Sequence, residues 1–466
     1  MRCPALPLAA LAFALAIPAH AAAQDYYSDV RPMLVENCVG CHNDAGIGWS
    51  MEDAEATYDE HHRMIARAVT AEMMPPWLAD KGHREYLGDL SLSDEVIGMV
   101  SAWRDAGFPK GEARPDPAPR EITSYAFNSD LSIEVLPGEA YMPRRDMDDD
   151  YRCFVVDWTR DDLGYVTGFR AVPGNDVIAH HVVVHVVEPH MVERFKEIDE
   201  MVDGPGYECF GGALPSSFDW NTYEAKYPNG ARELSQGEWW FNHWAPGMYG
   251  NTFPEGTGIP VKPGSALVVQ MHYYSKEAPD ERDVGSVVEF EVVDQVERPA
   301  FLMVNTKNAW FAGARNESMV IPSGELTTYS VTETLSDYVG LASSVTGIDR
   351  DKVGAFEIYS ANLHMHAFGH SGDITLTDEN GRTETLLEIS DYNLHWQRDF
   401  PFKDPVIFDR EVFDATQLRL RCTYENDTGD IVYGGYGSYD EMCMNMSYVA
   451  VQPVQAATEE NGSNER

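Results

Sequence analysis

The sequence predicts a multi-domain chain: one small all-α domain followed by two all-β antiparallel, jelly-roll-like sandwiches. Three observations carry this expectation. With 466 residues, the chain is well past the roughly 250 residues at which a single core stops growing. Residues 24–108 repeat their apolar positions at helical spacing. From Ile122 the texture changes to short β-type runs ("YRCFVVDW", "VIAHHVVVHVV", "SALVVQMHYYS", "GDITLT", "QLRLRCTY") separated by Gly, Pro, Asn and Asp.

Taken in order, residues 1–23 read as a secretory signal: an early Arg2, an apolar run from Ala5 to Ile17, and small residues at Ala19 and Ala21 before cleavage. In the helical region, residues 24–108, Val96, Val100 and Trp103 fall at i, i+4 and i+7, with acidic residues at the start and Gly107 and Pro109 at the stop. "PKGEARPDPAPRE", residues 109–121, holds four prolines and no periodic apolar pattern, which predicts an extended linker. The β region divides into sandwiches over 122–292 and 293–453, and 454–466 reads as a disordered tail. No later stretch has the roughly 20 apolar residues of a membrane span, so a periplasmic or secreted protein is expected.

Acidic residues outnumber basic ones by 76 to 34, a formal charge of −42. That surface repels phosphate backbones and argues against nucleic-acid binding; it reads as a solvated face. Of seven cysteines, Cys3 leaves with the signal. Cys38 and Cys41 belong to a motif described next, so Cys153, Cys209, Cys422 and Cys443 remain, an even number in an oxidising compartment. Four cysteines allow three pairings; pairing within each expected sandwich favours Cys153 with Cys209 and Cys422 with Cys443.

"CVGCH", residues 38–42, has two thiols at the spacing that adds across haem vinyl groups, followed by His42 as an axial ligand. This is the mark of a covalently attached c-type haem and of a cytochrome c domain. Met74 in "AEMMPPWLAD" is the expected sixth ligand, with Met73 the near competitor and His83 the distant one. His61 and His62 diverge by roughly 100° on a helix and are expected at the surface rather than at a metal.

In the β region, His180, His181 and His185 lie on one run. His181 and His185 share a strand face but sit roughly 13 Å apart, so His185 reads as structural. His180 and His181 point to opposite faces of a regular strand, and joint ligation requires a bulge or a strand end. His272 lies amid a strand, where the plain reading is a hydrogen-bonded core histidine. His364 and His366, two apart, share a face with roughly 6.6 Å between Cα atoms, which suits two imidazoles on one ion. Met442, Met444 and Met446 share another strand face.

The ordered segments "IAHHVVVH", "WAPG", "FPEGTGIP", "VVQMHYYS", "HMHAFGHSG", "LRCTYENDTGD" and "DEMCMNMSY" resemble the copper type II, ascorbate-dependent monooxygenases, the family of peptidylglycine α-hydroxylating monooxygenase and dopamine β-monooxygenase. The resemblance runs from about residue 125 to 452. It implies two copper ions on two β-sandwiches: one held by His180, His181 and His272 as an electron store, and one held by His364, His366 and Met442 that meets O₂ and attacks a substrate C–H bond. It also implies the two disulfide pairings favoured above. Imidazole serves both copper oxidation states, whereas thioether favours Cu(I).

The chain departs from the family where peptide-hydroxylating members anchor a substrate carboxylate: the matching positions here are Asn362, Met444 and Met446. The anion clamp is missing, and a pocket flanked by methionines favours an apolar or aromatic small molecule. The expectation is therefore an exported copper-dependent monooxygenase, an oxidoreductase fed by its own haem. Its external electron donor would be an exported redox protein, the respiratory chain or an ascorbate-like reductant. The alternative is a non-enzymatic haem and copper electron-transfer or copper-handling protein.

Overall fold

The computed structural model describes residues 24–44, 49–118, 127–209, 212–244, 250–276, 278–311, 318–435 and 439–454. The expected signal, most of the "WAPG" segment and nearly all of the expected tail lie outside the described residues. These residues form two compact units, one of residues 24–77 with 90–118 and one of residues 78–89 with 127–454.

The first unit carries the helices Arg31–Asn37, Ala54–Thr70 and Asp94–Asp105. Asp53 accepts from the amides of Glu55 and Ala56, and Ser93 from that of Val96, so each of the two longer helices begins where a side chain satisfies otherwise orphaned N–H groups. Val100 and Trp103 are fully buried, and Val96 packs beside them against Tyr26, Leu34, Ile65 and Val69. Residues 109–116 run against this unit: the Pro109 and Lys110 carbonyls accept from the amides of Tyr26 and Tyr27. Asp116 accepts from buried Arg31 at 2.8 Å.

In the second unit, a five-stranded sheet runs in the order Tyr207–Glu208, Asp149–Asp157, Ala266–Tyr274, Ala179–Val187, Glu238–Trp244. A second sheet, ten-stranded, follows the path Leu131–Glu134, Val287–Val293, Gly164–Val172, Thr257–Val261, Arg298–Thr306, Met444–Pro453, Val353–Ala361, Phe400–Asp409, with Leu363–His364 paired beside Met444–Pro453 and Asn251–Thr252 beside Gly164–Val172. Phe169 and Phe290 of this sheet meet Phe241 of the first at 5.8 Å between ring centroids. A four-stranded sheet contains Leu326–Thr334, Gln417–Glu425, Gly369–Thr377 and Thr383–Ile389. Disulfides join Cys153 to Cys209 and Cys422 to Cys443, the pairings expected.

The expected fold class is corrected in two respects. The molecule is mostly β, with 37% strand and 22% helix in several sheets, and its N-terminal helices do not make a clear, self-contained all-α domain. Residues 78–89 leave them for the β unit, where the Asp80 amide donates to the Glu388 carbonyl, the Leu87 amide to Pro401, and the Tyr86 hydroxyl to Leu386. Second, the two sandwich halves share the ten-stranded sheet through a parallel pairing of Arg298 with Thr257 and Pro299 with Gly258. Thr257–Val261 is buried along its whole length, so its backbone groups need a ladder partner on each side, and the neighbouring half supplies one. Helices Val192–Glu200, Trp220–Lys226, Gly230–Gln236 and Val339–Thr346 also interrupt the β region.

Candidate metal centre

His180 and His181 lie on the strand Ala179–Val187 and His272 on its neighbour Ala266–Tyr274. His272 stands opposite His181, while Tyr273 stands opposite Ala179. His180 is therefore the extra residue of a β-bulge, which re-aims its side chain toward that of His181. The three Nδ1 atoms converge: 3.2 Å between His180 and His181, 3.3 Å between His180 and His272, and 3.4 Å between His272 and His181. An ion about 2.0 Å from each of three nitrogens in a trigonal plane holds them about 3.5 Å apart. His272 Nε2 lies 2.8 Å from Asp149 Oδ1. The proton there leaves the Nδ1 lone pair facing the other two rings. Tyr151 stacks on His272 at 3.9 Å and 9°. Burial, then the neighbouring histidines, push His181 well below the usual imidazole range; burial also lowers His272, against the opposing pull of Asp149. Neutral imidazoles in this arrangement fit a copper ion.

The second set is built from the other half. His364 Nδ1 donates to Gln397 Oε1 and His366 Nδ1 to the Asp440 carbonyl at 3.1 Å, so both rings keep Nε2 available. The rings stand 5.1 Å apart at 90°, and burial lowers His364 to about 4 and His366 to about 3. Glu441 accepts from the amides of His366 at 2.9 Å, Phe368 at 2.6 Å and Met442 at 3.2 Å, tying the histidine segment to the methionine segment. Tyr424 donates to the Met442 carbonyl, and the Cys422–Cys443 bond lies one residue beyond Met442. Met442 is buried, and Glu441 ties its backbone to that of His366; imidazole and thioether are donor types that suit copper. The rings of His181 and His364 lie 6.1 Å apart, so the two sets are neighbours.

Other candidates fall elsewhere. His185 is buried and bonded to Glu238 at 2.8 Å. Met444 and Met446 are buried on the strand Met444–Pro453, and Asn362 is buried with its amide donating to Asp399 at 2.9 Å. A groove of about 800 Å³ lined by Ile133, Val135, Phe154 and Asp199 contains none of these residues. In the first unit, Cys38 and Cys41 are unpaired and His42 Nδ1 contacts the Trp49 carbonyl at 3.2 Å, leaving Nε2 for a metal. Burial pushes the Cys38 thiol up to about 12. Met74 is half-buried, whereas Met73 is 57% exposed; His83 is paired with Glu388 at 2.8 Å. His61 and His62, expected at the surface, are half-buried: His61 stacks on Trp49 at 3.7 Å and His62 meets Phe108.

Sequence reasoning missed Asp149, Gln397 and Glu441, the groups that orient the ligands. Glu441 stands inside the quoted "DEMC" segment and was within reach; Asp149, 123 residues from His272, had no local signal.

The three convergent imidazoles, on a β unit secured by disulfides, form a cluster that could hold a metal ion, and imidazole donors suit copper. Residues 316–460 match the family model for the copper type II ascorbate-dependent monooxygenase, C-terminal domain. The match supports that family, and its span holds His364, His366, Met442 and the Cys422–Cys443 bond. No curated protein matches the chain. Among solved structures, the chain is similar to the major capsid protein P2 of bacteriophage PM2, at 10% identity over 69% of this chain and 97% of that one, with a TM-score of 0.25. It is also similar to a structure from the infectious bursal disease virus Gx strain, at 10% identity over 65% and 57%, with a TM-score of 0.17. Likenesses this slight carry no argument. The disulfides accord with an oxidising, exported location, and among the described residues no helix is long and apolar enough to cross a membrane.

Proposed function

We propose that the protein is an exported copper-dependent monooxygenase acting on an apolar or aromatic small molecule: R–H + O₂ + 2e⁻ + 2H⁺ gives R–OH + H₂O. The observation that carries the reading is the family match over 316–460 in a chain whose other half converges three imidazole nitrogens. His180, His181 and His272 would hold one copper, and His364, His366 and Met442 the second. Bound copper supplies one-electron chemistry and oxygen activation.

The chain's own groups do the positioning. Asp149 fixes the His272 tautomer, while Gln397 and the Asp440 carbonyl fix those of His364 and His366. Glu441 holds Met442 against the turn of His366. Asn362, Met444 and Met446 would border the substrate, with no cation among them to hold a carboxylate. The loop of Cys38, Cys41 and His42, with Met74, would hold the electron-delivering haem: two unpaired thiols at that spacing in an exported chain are accounted for by thioether attachment.

The test is anaerobic. Copper-loaded protein is given stoichiometrically reduced haem, and its visible absorption is followed together with the Cu(II) resonance. Haem oxidation should track Cu(II) loss, and O₂ should re-oxidise the wild type but not Met442→Ala. A haem that stays reduced beside Cu(II) refutes haem delivery; equal re-oxidation of Met442→Ala refutes the assignment of the oxygen-activating set.

A further inference from the structure

The groove of about 800 Å³ takes no part in the metal centre, and two strand edges border it. One is Leu131–Glu134, the last strand of the ten-stranded sheet, whose one strand partner among the described residues is Val287–Val293. The pairing of Ile133 with Val288, continued by the bond from the Val135 amide to the Ser286 carbonyl, turns the backbone groups of the odd-numbered residues toward that partner. Those of Ser132 and Glu134 therefore point along the open edge, and both residues line the groove. The other edge is that of residues 154–157. Their strand is paired with Tyr207–Glu208 only as far as Cys153. The ladder stops there because the residues before Tyr207 are Gly206, at φ 65°, and Pro205, which has no N–H to donate. Two unpaired edges beside one groove are what an added strand needs.

The side chains indicate what such a strand carries. Ser132 and Glu134 are exposed and Ile133 between them is buried; Val135 and Phe154 extend the buried surface. Residues directly opposite in a ladder share a face, so an added strand sets every second side chain beside Ile133 and the others beside Ser132 and Glu134. The ionisable residues of the lining are Glu134, Glu139, Asp157 and Asp199, with no lysine, arginine or histidine in it. Lys196 answers Asp157 at 2.7 Å, whereas Asp199 Oδ1 is buried with no hydrogen-bond partner among the described residues. An acidic rim on a chain of formal charge −42 repels a second copy and attracts a cation.

We propose that this groove binds an extended, cationic peptide segment of a partner protein, added antiparallel to Leu131–Glu134, with apolar and basic residues in alternation. Its apolar residues lie against Ile133, Val135 and Phe154, and its basic ones pair across the ladder with Glu134. The surface is independent of the copper reading.

The probe is a Val-Lys-Val-Lys-Val-Lys peptide, labelled with fluorescein at its N-terminus and amidated at its C-terminus, titrated with the full chain at physiological ionic strength and followed by anisotropy. Saturable one-to-one binding is expected. The same peptide N-methylated at its lysine amides, the groups that would face Ser132 and Glu134, should bind about tenfold more weakly. A Val-Glu-Val-Glu-Val-Glu peptide should lose at least as much. Ser132→Pro removes one groove-facing N–H at a sheet edge, where proline is tolerated, and should weaken the lysine peptide about fivefold. If that variant does not fold, Glu134→Lys should weaken the lysine peptide and strengthen the glutamate one.

Absence of saturable binding overturns the proposal. Equal binding of the N-methylated peptide also overturns it, since that marks adhesion to an acidic surface without strand pairing. Self-association of the free chain that Ser132→Pro abolishes assigns the edge to a second copy and overturns it as well.

Discussion

At the scale of single residues, the centre depends on groups that touch no metal. The His272 ring is oriented by the Asp149 carboxylate at 2.8 Å. Asp149→Asn keeps the size but loses the charge that favours a proton on Nε2. Copper affinity of the three-histidine set should fall by about 10–100-fold, the usual cost of losing such a partner; competition against a chelator of known affinity measures it. His364 and His366 were legible as candidates from their two-residue spacing, but the expected shared strand face is corrected: the strand ends at His364 and His366 lies beyond it. The neighbours His180 and His181 were ambiguous because strand period sends them to opposite faces. The bulge opposite His272 resolves the ambiguity, and a bulge is a property of two paired strands.

At the scale of elements, Glu441 ties the segment of His366 and Phe368 to that of Met442 through three backbone amides. Glu441→Gln turns one acceptor oxygen into a donor facing N–H groups, and should cost about 1–3 kcal/mol of stability, read by urea unfolding. The Cys422–Cys443 bond joins residues 21 apart in sequence. Cys422→Ser with Cys443→Ser should cost about 3 kcal/mol through the loop released in the unfolded chain, and calorimetry of the double variant measures it. Both changes should also weaken the second copper more than the first, since they loosen the strand that begins beside Met442. The helix Asp94–Asp105 shows the opposite case of full legibility, because the spacing of Val100 and Trp103 names its buried face without reference to any partner.

At the scale of the molecule, the halves of the β unit are joined by the shared ten-stranded sheet and by a bridge in which Asp399 meets His243 at 3.4 Å and Asn362 at 2.9 Å. Asp399 has a lowered carboxyl in the folded chain. Its contribution is therefore present above the unfolded value of about 3.9 and is lost as pH falls through the lower folded value. The stability gap between wild type and Asp399→Asn should be steady near about pH 5 and close progressively below about pH 4, measured by urea titrations across that range. A gap that stays constant down to pH 2 would show that the carboxylate charge is not what joins the halves.

By itself the sequence determined the helical and β textures, the four cysteines left to pair, the Cys38–Cys41–His42 spacing and the histidine runs, because each is written in local spacing or in a count of cysteines; which cysteines pair was settled by the folded chain. Tertiary structure alone decided that residues 78–89 join the β unit, that the two halves share one sheet, that His180 is the bulged residue, and that His181 faces His364 at 6.1 Å. The physical reason is common to all four. Periodicity tells which face of an element is buried, but not which edge it pairs with. That choice is made by hydrogen-bond closure between residues far apart in the chain.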